Sequence, residues 1–124
     1  MKKLFGLMVL CSASLALGAA HAHGAATPNH GGIVQTVGET WLELVVRGDT
    51  LELYVEDDGE EMPSADLSGK LTIVDGAGKK EVTLKPAGGN KLEAKGAAGK
   101  GAKVLALLTL ADKKTRVSTT FTLK

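Results

Sequence analysis

The sequence predicts an all-β fold, a small antiparallel β-sandwich (immunoglobulin-like or similar) of seven or eight short strands. Three observations predict it. Apolar and polar residues alternate with period two over short runs. Turn residues (Gly, Asp, Asn, Pro) separate those runs at roughly 8–12-residue spacing. No segment after the first turn signal holds a helical period. With 16 glycines and only 3% aromatic residues, the composition suits a compact β domain with tight turns, not a large pocket lined by rings.

The chain opens on an export signal. Lys2 and Lys3 form a basic n-region, Leu4 to Leu17 an apolar h-region, and Ala20-His21-Ala22 a small-x-small cleavage site. Residues 1–22 are therefore expected to be cleaved. Residues 23–32 read as a polar, histidine-bearing N-terminal arm, and residues 33–124 as the β-sandwich domain. Ile33 to Val37 is the first strand, ended by Gly38. In Trp41 to Arg47, Leu42, Leu44 and Val46 share one face while Trp41, Glu43 and Arg47 share the other. Gly48-Asp49 is a tight turn, after which Leu51, Leu53 and Val55 face inward and Glu52, Tyr54 and Glu56 outward. Two such runs around a Gly-Asp pair make the clearest hairpin in the chain.

Asp57 to Ser68 reads as an acidic loop. Lys70 to Val74 and Glu81 to Lys85 form a second hairpin across Asp75-Gly76-Ala77-Gly78. Pro86 to Asn90 turns the chain into Lys91 to Lys95, and Gly96 to Gly101 is a Gly/Ala-rich turn. Lys103 to Leu110 and Arg116 to Leu123 then pair across Ala111 to Lys114. The run from Val104 to Leu108 is apolar on both faces, which predicts a central strand covered on both sides. The expected core is Leu42, Leu44, Val46, Leu51, Leu53, Val55, Leu71, Ile73, Val82, Leu84, Leu92, Leu108, Val117, Phe121 and Leu123. No helix longer than about two turns is expected.

Charge and cysteine usage exclude several function classes. The chain has 15 basic and 14 acidic residues, and the signal takes two of the lysines with it. A near-neutral domain gives no electrostatic reason to expect nucleic acid or a membrane surface as partner. Nothing after the signal is apolar enough to span a bilayer, so the expected product is soluble and periplasmic. The single cysteine, Cys11, lies in the h-region behind Val9 and Leu10, without the small residue that lipidation needs. The mature chain then has no disulfide, thiolate ligand or cysteine nucleophile. No G-x-S-x-G, H-E-x-x-H, P-loop or dinucleotide fingerprint occurs, so the reading is not an enzyme.

Chemistry is concentrated in the three histidines, His21, His23 and His30, all before the first strand. Cleavage after Ala22 would place an α-amine and an imidazole on one residue, His23, an arrangement that chelates Cu(II), the ion at the top of the affinity order for nitrogen sites. Cleavage after Ala20 would instead expose His21-Ala22-His23, whose amine, backbone amides and imidazole suit square-planar Cu(II) or Ni(II). The simpler alternative is a tolerated cleavage sequence followed by a disordered arm. His30, before Gly31-Gly32, is the candidate second ligand, or else an ordinary loop residue at a bend. Glu56, Asp57 and Asp58, with Glu60 and Glu61, are weaker candidates. They lack the register of an EF-hand loop, and Asp58-Gly59 more simply makes a turn. Trp41 and Tyr54 mark either a binding surface or the core of a second sheet, and the latter is expected.

Pro28-Asn29-His30-Gly31-Gly32-Ile33-Val34, followed by a strand pair ending in Tyr54-Val55-Glu56-Asp57-Asp58-Gly59, resembles a group of small exported bacterial His-Gly-Gly proteins. Similar stretches open some periplasmic adaptor subunits of heavy-metal efflux pumps of the resistance-nodulation-division type. The resemblance spans roughly residues 28 to 123 and implies a periplasmic β-sandwich module associated with metal handling. A looser likeness is to small periplasmic copper-resistance carriers, matched only at His23. Their methionine-rich loop is absent, since Met62 is the lone methionine after the signal. The expectation is a periplasmic accessory protein that binds one transition-metal ion, Cu(II) before Zn or Ni, through His23 and His30. Its expected partner is a metal-efflux adaptor or another periplasmic protein. The alternative is an interaction module that docks on an envelope protein without metal.

Overall fold

A computed structural model describes residues 27–124. The expected signal segment, His21 and His23 lie outside the described residues. Among these residues nine antiparallel strands form the fold: β1 (Ile33–Val37), β2 (Thr40–Arg47), β3 (Thr50–Asp57), β4 (Glu60–Glu61), β5 (Ser68–Asp75), β6 (Gly78–Pro86), β7 (Lys91–Lys95), β8 (Lys103–Thr109) and β9 (Arg116–Thr122). The only helical element among the described residues is the 3-10 turn Ser64–Asp66. No helix there is long and apolar enough to cross a membrane.

Each expected strand is present, with ends shifted by three residues or fewer. The additional strand, β4, lies in the stretch expected to be a loop. Asp58 and Gly59 there have φ of 54° and 81°, the two positive values of a tight hairpin turn that Asp-Gly favours. That turn brings Glu60 opposite Asp57 and Glu61 opposite Glu56.

The strand order is β1-β2-β3-β7-β6-β5-β8-β9, with β4 beside β3. One sheet is β1-β2-β3-β7 and the other β6-β5-β8-β9. They join where Lys85 and Pro86 of β6 pair with Glu93 and Leu92 of β7. At the far side β1 and β9 lie next to each other, so the two layers approach a closed, flattened barrel.

Leu42, Leu44, Leu51, Leu53, Val55 and Leu92 of one layer pack on Leu71, Ile73, Leu84, Val104, Leu108, Val117 and Phe121 of the other, in one continuous core. The expected core needs three corrections. Val46 is 38% exposed, because it sits beside the Gly48-Asp49 turn at the rim and lines a groove there. Val82 is half-buried where β6 and β7 splay apart. The run Val104 to Leu108 is covered on one side only. Val104, Ala106 and Leu108 point into the core, while Leu105 is 41% exposed on an outer face that none of the described residues covers. Three buried contributors carried little apolar signal of their own: Ala94, Ala102 and Ala106.

Candidate functional site

The site is built on the outer face of β2 and β3, where Glu43 stands directly opposite Tyr54. Period two puts Trp41, Glu43, Glu52 and Tyr54 on the layer's outer side. The expectation that Trp41 and Tyr54 pack into a second sheet is thereby corrected: the second layer lies against the opposite face. Both rings are half-buried.

Glu43 points outward yet has no exposed surface, because the arm residues 29–32 fold back over it. Its Oε1 accepts from the Asn29 N–H at 3.1 Å and from His30 Nδ1 at 3.0 Å. Its Oε2 accepts from the backbone N–H groups of His30 at 2.9 Å and Gly32 at 2.8 Å. Burial pushes this carboxyl up. The His30 side chain and the Gly32, His30 and Asn29 amides outweigh it and hold the group below its ordinary value. Glu43 is thus ionised, and a carboxylate can only accept. His30 Nδ1 must therefore carry the hydrogen, and in the neutral ring Nε2 keeps the lone pair.

Two glycines make this approach feasible. Gly31 turns the arm at a φ of 75°. At Gly32 a Cβ would run into the Leu44 carbonyl and lie 2.8 Å from Val45 Cγ2. The bare backbone covers Val45, an outer-face valine that is consequently buried at 7% exposure.

The His30 ring lies flat on Tyr54, with centroids 3.6 Å apart and planes 7° from parallel. The Tyr54 hydroxyl donates to Glu52 Oε1 at 3.2 Å, and Arg47 Nε donates to the same oxygen at 2.8 Å. Lys91 Nζ lies 3.5 Å from the other oxygen. Burial raises the Glu52 carboxyl, but Arg47, Lys91 and Tyr54 together hold it below the usual range. Burial and the neighbouring Glu52 charge push the Tyr54 phenol up. One polar chain thus runs from the arm through His30, Tyr54 and Glu52 to Arg47 and Lys91.

The acidic candidates do not converge. Glu56 accepts from Asn29 Nδ2 at 3.4 Å and Asp57 from Thr40 Oγ1 at 3.0 Å, while Asp58 is in the turn. Among the described residues no group of three or more His, Cys, Asp or Glu is arranged to hold a metal ion. The sequence reading missed Glu43 and Glu52 as site residues. Their signal is a repeated Leu-Glu-Leu, residues 42–44 and 51–53, an acid interrupting an otherwise apolar strand.

Fold and site define a small all-β module whose histidine-bearing arm is fastened across one sheet by a buried carboxylate. Comparison with protein-family models, curated proteins and solved structures finds no match.

Proposed function

We propose that the protein is an exported, non-enzymatic accessory module. It captures one divalent transition-metal ion, Cu(II) before Zn or Ni, on its arm and works beside a metal efflux or resistance system. The observation that carries the reading is the Glu43 carboxylate on His30 Nδ1 at 3.0 Å. A histidine ligand is ordinarily oriented in this way, its second nitrogen held by a carboxylate so that tautomer and ring plane are fixed. The stacked Tyr54 ring adds a second restraint. His30 would supply Nε2, and the upstream His23 with its amine the further nitrogens, or His21 and His23 together if cleavage falls earlier. The resemblance to efflux adaptor modules favours a periplasmic setting and a partner of that kind.

The test is a Cu(II) titration of the processed protein, its N-terminus fixed by intact mass. His23→Ala, His30→Ala and an amine-acetylated form should each bind more weakly, whereas Glu60→Gln and Glu61→Gln should not. Protons compete for the same lone pairs, so affinity should fall as pH drops from about 8 to 5. Equal binding by all forms, or none tighter than free histidine, would end the metal reading in favour of a docking module.

A further inference from the structure

The near-neutral balance of the chain hides a segregation of charge that the strand register makes plain. The pairs Arg47–Thr50, Thr50–Lys95, Asp75–Gly78, Val74–Lys103 and Lys103–Thr122 place one set of loops at the same end of the barrel. That end carries Lys79 and Lys80 at the start of β6, Lys95, Lys100 and Lys103 around the β7–β8 loop, and Lys124 after β9. All are exposed, and none belongs to an ion pair among the described residues. Asp49 and Asp75 are the acids in these loops. The opposite end holds Glu39, Asp57, Asp58, Glu60, Glu61, Asp66 and Asp112, against Lys85, Lys91, Lys113, Lys114 and Arg116.

The basic loops are tied to one another. The Gly96 N–H donates to the Asp49 carbonyl at 2.8 Å, and the Gly101 N–H to the Leu123 carbonyl at 2.9 Å. Between them lies an open groove of about 400 Å³, where Ile33, Val46, Ala98 and Leu123 meet Lys100 and Lys124. Val46 is one of two exposed large apolar side chains among the described residues.

We infer that this lysine-bearing end is a peripheral docking surface for an anionic phospholipid bilayer. Lysines spread over strand ends and the loops beside them complement a plane of negative headgroups, and each Lys near such a surface contributes independently of exact geometry. The exposed valine at the groove suits the apolar boundary beneath the headgroups. The acidic end is repelled by the same surface, so attraction and orientation reinforce each other. A second copy docking head to tail would match the charges too. It would need shape complementarity between a lysine-rimmed groove and an acidic hairpin tip, however, and a bilayer needs none.

The test is co-sedimentation of the processed protein with vesicles of phosphatidylglycerol and phosphatidylcholine, against phosphatidylcholine alone. Binding should require the anionic lipid and weaken as salt is raised. Each of Lys79→Gln, Lys80→Gln and Lys100→Gln should lower partitioning roughly fivefold, and the triple variant about a hundredfold. Lys113→Gln with Lys114→Gln, at the other end, should change it little. These positions are exposed, and an unchanged circular dichroism spectrum confirms that the variants fold. No binding at low salt, equal binding to both vesicles, or equal losses from variants at either end would overturn the inference. Salt-sensitive self-association in the absence of vesicles, with no lipid binding, would assign the same surface to a second copy instead.

Discussion

A carboxylate with no exposed surface survives only if its hydrogen-bonding capacity is met. Glu43 meets it with three backbone amides and one imidazole, all from residues 29–32. Among the described residues those amides have no other buried partner. Glu43→Ala should therefore cost about 1–3 kcal/mol of stability in urea unfolding. It should also specifically remove hydrogen-exchange protection at the amides of residues 30 and 32, leaving β3 protected. Gly32→Ala should lift the same amides by a different route, since its Cβ collides with the Leu44 carbonyl. Loss of protection throughout β2 and β3 in the Glu43 variant would contradict this assignment of the carboxylate to the arm.

The pH dependence also belongs to single residues. Glu43 and Glu52 are both held below their ordinary values, so the unfolded chain binds protons more readily than the folded one. Their contribution is fully present above the ordinary glutamate value of about 4.3. It is lost as pH falls through the lower folded values. The urea midpoint should decline between about pH 5 and 3, and Glu52→Gln should flatten that decline while lowering stability near pH 7. A variant with the same acid slope as the parent would show that Glu52 is not a source of it.

At the scale of the elements, the strands were legible because period two is a local property. Leu42, Leu44, Leu51 and Leu53 show it unambiguously, and all are fully buried or nearly so. Leu44→Ala or Leu53→Ala should cost about 2–5 kcal/mol, measurable as a shift in the urea midpoint at constant slope. Leu105→Ala, on the outer face, should cost less than about 0.5 kcal/mol. What was not legible depends on distant chain. Nothing near Leu105 in sequence says that its face lacks a cover, and nothing near Glu43 says that the arm returns over it. His30 was visible as a candidate through its residue type, but its orientation comes from a residue 13 positions away. The acids 56–61 were visible as a cluster, yet a two-residue turn sets them in cross-strand pairs, Asp57 with Glu60 and Glu56 with Glu61, and among the described residues no three of them converge.

At the scale of the whole molecule, the two layers are stitched weakly at their margins. The β6–β7 ladder joins through Lys85–Glu93 and Pro86–Leu92 only, and β6 is otherwise open towards β7 along a groove lined by Val82 and Thr83. What holds the layers together is the shared interior, in which Phe121 and Leu108 of one face Leu53 and Leu92 of the other. A layer separated from its partner would expose its whole apolar face, about 25 cal/mol for every Å², so neither should persist alone. Unfolding should consequently be a single transition. Trp41, the lone tryptophan, reports on β2 in one layer, and far-UV circular dichroism reports on both, so the two curves should coincide in urea. Val117→Ala, in the opposite layer, should shift the Trp41 curve and the dichroism curve together, by the same change in midpoint. If the Val117 variant instead moved the dichroism transition while Trp41 fluorescence kept its original midpoint, the layers would be separate folding units. The open β6–β7 seam would then be a true boundary between them.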